Sequence, residues 1–597
     1  MTLPRLPALL PCLLLVALAL LPAPAPAADA ADAFRALHER EWAFRVDEFP
    51  RLAEDPAQRR LVDRLDDVSP AAQQRRLRHW RQVRRQLARI DPDALDAAGR
   101  IDYLIFRDQI DQAIAEVELK SWQMPLNSDS SFFSAVAMQP DRTVPQTRAE
   151  AQAYLAWLAD IPRYFEQQIA NMRAGLAAGR TVPQVVLTGR EASAGAHADG
   201  AVEDSVFFRP LARLPDSWPA AEREALQARG RVVIAQAVQP AFAAVRDFLR
   251  DDYIPGARTT IAAHDLPDGE AWYRAQIREY TTLDLSPEAI HAIGLAQVRR
   301  IRAEMQAIID GLDFDGDFAA FLAFLRSDPQ FYAQTPDQLL SRARDIAKRI
   351  DAELPRWFGT LPRRPYGVAP VPAAIAPFYT AGRYAGAPAG SNEPGWYWVN
   401  THNLPARPLY VLPALTLHEA VPGHHLQAAL AEEQGEQPAF RRSAYISAFG
   451  EGWGLYAEWL GKEMGIYQTP YEDFGRLTYE MWRASRLVVD TGMHAMGWSR
   501  ERALAFMRDN TALSEHEIGT EIDRYISWPG QALAYKLGEI RLRELRARAQ
   551  AQLGEDFDVR AFHDHILALG SVPLAVLDEQ VLAWIERQRV PEPSTTE

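Results

Sequence analysis

Cysteine is nearly absent: the 597-residue chain has one, Cys12. Everything beyond it must hold together by its core, without disulfides, which suits a bacterial periplasm better than a stapled secreted domain. Positive charge is in the minority, with 65 Lys and Arg against 79 Asp and Glu and a net charge of −14. No polybasic run offsets that balance, so nucleic acid is excluded as a partner. Past residue 28 no apolar stretch approaches the roughly 18 residues of a membrane span, and the mature chain is expected to be soluble, with no stable membrane insertion. Strand-like runs are also scarce.

The first 27 residues are of another kind. Arg5 supplies one positive charge, residues 8–21 form an apolar run of Leu and Ala, and a Pro-broken exit ends in Ala25-Pro26-Ala27. That small-x-small triplet reads as a signal-peptidase site, with cleavage before Ala28 and a periplasmic or secreted product. The residues before Cys12 are Leu9, Leu10 and Pro11. They lack the small residue that precedes a lipidated cysteine, so the pattern speaks against a lipid anchor.

What remains, residues 28–597, reads as one large, mainly α-helical domain, of one lobe or two. Apolar residues recur at three- and four-residue spacing over 72–90, 147–177, 219–250, 286–312, 336–352, 470–510 and 531–552. Ser286-Pro287 and Thr335-Pro336 place a hydroxyl at the helix cap and Pro at the first helical position. Strand signals cluster at 366–402, where Pro377-Phe-Tyr-Thr380 and Gly395-Trp-Tyr-Trp-Val399 suggest a small antiparallel ribbon, and 409–412 suggests a further strand. The aromatic run at 395–400 is expected to present an edge to an extended peptide. Residues 182–216 read as loop with a strand or short helix.

The chemistry concentrates at His418-Glu419-Ala-Val-Pro422-Gly423-His424-His425. Three of the chain's 13 histidines fall within these eight residues. Neutral imidazoles suit Zn²⁺, and a Glu beside the first His can take a proton from the attacking water. In the usual H-E-x-x-H motif the two His lie one turn apart on a helix face. Here a second His lies six or seven residues on. On an unbroken helix His424 would sit about 240° round, and His425 roughly 10.5 Å along the axis. Neither could share a metal with His418 unless Pro422 and Gly423 break the helix. Downstream, Glu451 and Glu458 are seven residues apart, on one helix face about two turns apart. One can bind the metal while the other orients a ligand.

These segments, with Arg524-Tyr-Ile-Ser-Trp-Pro-Gly-Gln531-Ala-Leu-Ala-Tyr535-Lys536, resemble the DUF885 family of bacterial proteins, regarded as related to the helical gluzincin metallopeptidases. The resemblance implies His418, His424 and Glu451 as zinc ligands and Glu419 as general base. It also implies a downstream Tyr, Tyr525 or Tyr535, as the donor to the developing oxyanion. Arg524 or Lys536 is then placed to pair with a substrate carboxylate. Arg486, Asp490 and His494 recur at four-residue steps and read either as a substrate-binding wall, with His494 in it, or as an internal ion-pair ladder.

The expectation is an exported Zn²⁺-dependent peptidase acting on oligopeptides, as an oligopeptidase or carboxypeptidase. The same ligand set would also accept Co²⁺ or Mn²⁺. The rival readings are a metal-dependent hydrolase of another amide or ester, and a non-catalytic binding protein with a degenerate site.

Overall fold

The computed structural model describes residues 27–52, 62–373, 376, 379–387 and 391–589. The signal-peptide reading and Cys12 lie outside the described residues, apart from Ala27, where the first helix begins. Helices of eight residues or more are α1 (Ala27–Glu48), α2 (Pro70–Leu87), α3 (Ala97–Glu118), α4 (Arg148–Ala177), α5 (Ala220–Gly256) and α6 (Gly269–Thr281). They continue with α7 (Pro287–Gly311), α8 (Phe318–Ser327), α9 (Pro336–Trp357), α10 (Leu412–Glu419), α11 (His424–Glu432) and α12 (Ser447–Glu463). The last are α13 (Pro470–Ala495), α14 (Arg500–Asn510), α15 (Glu515–Ser527), α16 (Ala534–Leu553), α17 (Val559–Ala568) and α18 (Leu574–Arg589). The fold is mainly α.

Local chemistry explains many of the boundaries. Ser286 and Thr335 cap α7 and α9, each accepting from a backbone N–H three residues on, with Pro at the first position. The stretch 470–510 is two helices, because the chain turns through Gly497 at φ +66°. Residues 409–411 are a turn of 3₁₀ helix leading into α10, and residues 182–216 hold short helical turns with no strand. The apolar run at 409–412 is answered by Pro413, which suits a helix start and not a strand.

One helix qualifies the expectation about apolar runs. α5 has an 18-residue window of mean hydropathy 1.3, long and apolar enough to cross a membrane by composition. Its buried residues Ile234, Val238, Phe242 and Val245 belong to the main core, and the helix packs on α4. A π turn at Ile234–Val238 precedes Pro240, whose missing N–H leaves the carbonyl one turn back without its usual donor.

α13 is the axis of the C-terminal half, in contact with α7, α10, α12, α14, α15 and α16. Residues 474–494 are buried on every side except at Trp482. A helix in that position should be apolar all round. Instead it carries a polar seam at Arg476, Glu480, Arg483, Arg486, Asp490 and His494, at steps of three and four. Each group finds a partner: Arg476 with Glu480 at 3.1 Å, Glu480 with Lys536 at 2.7 Å, Arg486 with Glu521 at 3.0 Å. Such pairing is the condition on which charge is tolerated in a core.

The sheet is small and mixed, a correction to the antiparallel ribbon. Strands β1 (Tyr366–Pro370), β2 (Gly382–Ala385) and β3 (Gly395–Val399) lie in the order β1-β3-β2, with β3 parallel to β1 and antiparallel to β2. The central place of β3 leaves no edge on the aromatic run 395–399. The open edge near the site belongs to β2. Of the Pro377–Thr380 stretch, Pro377 and Phe378 lie outside the described residues.

Candidate metal centre

The break demanded by the histidine spacing is present. α10 ends at Glu419, the chain leaves helical geometry at Ala420 (φ −95°, ψ −115°), and α11 begins at His424. The excursion folds back tightly on α10. A Cβ on Gly423 would lie 2.0 Å from the His418 carbonyl oxygen, so no other residue fits there without displacing the backbone. The Trp453 indole N–H donates to the Pro422 carbonyl at 2.8 Å and ties the excursion to α12. The result places the His418 and His424 rings 4.7 Å apart and nearly perpendicular.

α12 brings the carboxylates. It crosses α16 where Gly452 faces Gly538: a Cβ on Gly452 would stand 2.6 Å from the Gly538 backbone. Glu451 is thereby carried to the two imidazoles, its Oε2 lying 3.4 Å from Nε2 of His418 and 3.4 Å from Nε2 of His424. Donor atoms of His418, His424 and Glu451 all fall within 4.8 Å of one another. His418 is buried, while His424 and Glu451 each keep 16% side-chain exposure, so the cluster opens to solvent on their side.

Electrostatics favour a cation at that point. Burial opposes charge on His418, but its hydrogen bonds to Glu451 and Glu458, with Glu419 nearby, prevail and push its pKa up to about 10. Burial likewise opposes ionisation of Glu451, yet its bonds to His418 and His424 hold its carboxyl well below the usual range. Two imidazole nitrogens and a carboxylate oxygen converging at this separation fit a zinc-type donor set, with room for a further ligand on the solvent side.

Glu458 stands behind His418. The ring's Nδ1 lies 2.8 Å from Glu458 Oε1, and with its proton held there Nε2 is the nitrogen that a metal ion would take once its own proton is displaced. Arg483 of the α13 seam lies 3.8 Å from the same oxygen. Were the cluster to hold zinc, replacing Glu458 with Gln should weaken its binding by about 10–100-fold while leaving His418, His424 and Glu451 in place. A chelator-competition titration measures this.

Glu419 is fixed from the sheet: the Tyr384 backbone N–H, on the open edge of β2, donates to its Oε2 at 2.8 Å. His425 turns away from the cluster. Its Nδ1 meets the Tyr384 hydroxyl at 3.3 Å and its Nε2 the Arg364 carbonyl at 3.1 Å. The geometry thus separates two adjacent histidines that spacing alone left equivalent.

The remaining sequence candidates divide. The Tyr525 hydroxyl is enclosed, accepting from Arg486 Nε at 2.7 Å and Trp482 Nε1 at 3.0 Å and donating to Glu521, which leaves it no proton for a substrate. Lys536 is fully buried between Glu480 and Glu539, at 2.7 and 2.6 Å. His494 is also fully buried. It accepts from the Ala263 N–H at 3.2 Å and donates to the Tyr525 carbonyl at 2.9 Å, and burial lowers its pKa to about 3. Asp490, its neighbour on the seam, accepts from the Tyr273 hydroxyl at 2.6 Å and the Gly530 N–H at 3.2 Å. Arg486, Asp490 and His494 therefore brace the 521–530 segment and are not paired with one another.

Tyr535 stays near the cluster. The Arg486 guanidinium lies 4.4 Å from its ring centroid, and Arg524, which also bonds Gln531 at 2.8 Å, is hydrogen-bonded to its hydroxyl. Sequence reasoning missed two groups. Tyr445, 62% exposed overall, turns its hydroxyl in over Gly450, within electrostatic reach of Glu451, Glu419 and Tyr535. Arg383 on β2 lies within reach of Glu419 and Tyr535. Tyr445 had one signal, its place six residues ahead of Glu451, whereas Arg383 had none.

Residues 54–581 match the sequence model of DUF885, described as a bacterial protein of unknown function. A solved structure from Colwellia psychrerythraea, described as a candidate lipoprotein, superposes with a TM-score of 0.83 at 28% identity, covering 94% of this chain and 99% of that one. Another from Shewanella oneidensis, described as a candidate lipoprotein of unknown function, has a TM-score of 0.73 at 18% identity, covering 94% of this chain and 100% of that one, and shares the fold. No curated protein matches the chain.

Proposed function

Since the chain belongs to the DUF885 family of bacterial proteins of unknown function, we propose from its site that it is an exported zinc-dependent peptidase acting on oligopeptides. The observation that carries this reading is the convergence of His418, His424 and Glu451 with Glu419 held alongside. His418, His424 and Glu451 would hold the ion. A divalent cation in such a site polarises a carbonyl and makes water a nucleophile near neutral pH.

The chain's own groups account for the rest. Glu419, oriented by the Tyr384 N–H, takes the proton from the attacking water and returns it to the leaving amine. Glu458 and Arg483 keep His418 in one tautomer. In β2 the residues opposite Tyr397 and Val399 are Tyr384 and Gly382, and the Asn400 N–H bonds the Ala381 carbonyl. That alternation turns the polar groups of Gly382 and Tyr384 outward; with the Tyr384 N–H on Glu419 and the Gly382 carbonyl on Thr380, the Gly382 N–H and the Tyr384 carbonyl are left for an extended peptide lying along the edge. Arg383, within electrostatic reach of Glu419, and Arg524, bonded to the Tyr535 hydroxyl, are the cations that would meet a substrate's carboxylate. Export rests on the leader pattern and agrees with the candidate-lipoprotein descriptions of the two structural relatives.

The oxyanion donor must have a proton to give. Tyr445 has one, since among the described residues its hydroxyl makes no hydrogen bond. Tyr445→Phe should lower kcat by about 10²–10³-fold with zinc content unchanged, and Tyr535→Phe should do less. The reverse order in steady-state kinetics would assign the role to Tyr535. The function itself is tested with internally quenched oligopeptides: turnover that vanishes on chelation and returns with stoichiometric Zn²⁺ supports the proposal. Zinc bound without turnover of any peptide would sink it.

A further inference from the structure

A cavity of about 610 Å3 lies between α2, α3, α6 and the end of α15, and none of the metal-site residues lines it. Its walls are aromatic: Trp80, Trp122, Trp272, Tyr280 and Trp528 all face it. Three of the four indoles have partners, Trp80 on Glu41 at 3.1 Å, Trp272 on Ser121 at 3.0 Å and Trp528 on Tyr280 at 2.6 Å. The Trp122 Nε1 is buried without one among the described residues.

Two carboxylates, Glu116 of α3 and Glu279 of α6, open into the same space. They also line an adjoining cavity of about 160 Å3. The arginines of the large cavity are committed elsewhere. Arg76 bonds Glu48 at 2.8 Å and the Asp67 carbonyl at 2.7 Å, and Arg258 bonds the carbonyls of Thr181 and Ala262 at 2.8 and 2.6 Å. Among the described residues no hydrogen bond or ion pair reaches Glu116. Glu279 has the Gln276 amide at 3.3 Å and the Tyr280 hydroxyl. Burial and the neighbouring Glu116 together push Glu279 up to about 7; at Glu116, an exposed residue, desolvation raises the carboxyl against the opposing charge of Arg76. The two carboxyls repel each other and make no ion pair among the described residues, Arg278 being the exposed cation of the adjoining cavity; with the indoles around them they suit a cationic occupant with an apolar body.

We propose that this cavity is a binding site for an organic ammonium with an apolar body, its charge on Glu116 and Glu279 and its body against the tryptophans. A peptide's free amino terminus and a lysine side chain share that chemistry. The site is distinct from the metal cluster, and the inference does not depend on the peptidase reading.

The test is calorimetric titration of the full mature protein with phenethylamine, beside N-acetylphenethylamine, which keeps the ring and loses the charge. Saturable binding of the amine alone is expected, weakened about tenfold or more by Glu116→Gln or Glu279→Gln and unchanged by Glu451→Ala. Equal binding of the acetylated compound would overturn the proposal, as would no binding of either compound. Undiminished binding by a Glu116→Gln variant with wild-type melting would do the same. The comparison of the two compounds on the wild type decides the matter even if the variants fold poorly. Competition by Phe-Ala-Ala against acetyl-Phe-Ala-Lys then tells an amino terminus from a lysine.

Discussion

Glu419→Gln should abolish most peptide turnover, lowering kcat by about 10²–10⁴-fold, while zinc content stays at that of the wild type. The amide is nearly isosteric and can still accept from the Tyr384 N–H, so the contact between α10 and β2 has no reason to move. Only the ability to take up a proton disappears. Because Glu419 is not among the three groups that converge on one point, its loss separates proton transfer from metal holding. Steady-state kinetics alongside metal analysis of the same preparation reads both. Unchanged turnover would remove Glu419 from the chemistry and favour a binding protein.

His424→Ala and Glu451→Ala should each empty the site, taking metal content from about one zinc per chain to near zero. Each leaves two donors where three converge. Glu451→Ala also strips the charge that faces both imidazoles at 3.4 Å. The informative companion is His425→Ala, one residue away. That ring is occupied with Tyr384 and the Arg364 carbonyl, so its loss should loosen the sheet and leave the zinc in place. Elemental analysis after dialysis against free Zn²⁺ distinguishes the three variants. Zinc lost from His425→Ala and kept by His424→Ala would reverse the ligand assignment.

Much of this site was legible in the sequence for a physical reason. A spacing incompatible with one helix, combined with Pro422 and Gly423, forces a break, and a break that reunites His418 with His424 leaves few arrangements. Glu451 and Glu458 stood out as charges in an apolar helix that must be partnered. Helices with caps, such as α4, α7 and α9, were readable to within a few residues except at the end of α9, because cap and periodicity agree. The failures share another cause. Tyr525, Lys536 and His494 look like chemistry in the sequence, and burial commits their polar atoms to neighbours that only the packed structure supplies. Tyr384 and Arg383 arrive on a strand whose place beside α10 depends on sheet order, and no local pattern encodes that order. The mixed sheet was missed similarly: a run of aromatic and β-branched residues says strand, not which neighbour it takes.

The excursion between α10 and α11 alters what kind of object this site is. When two imidazoles ride one helix, their bite is set by helical pitch and cannot be tuned without unwinding the helix. Here it is a tertiary quantity, fixed by how closely the backbone at Gly423 returns to the carbonyl of His418 and by the indole of Trp453 holding Pro422. The separation of the donor atoms is thus adjustable from residues that contribute no donor. Substitutions around the break would shift the spacing of His418, His424 and Glu451, and with it the radius of cation the proposed site prefers, while the three side chains stay the same.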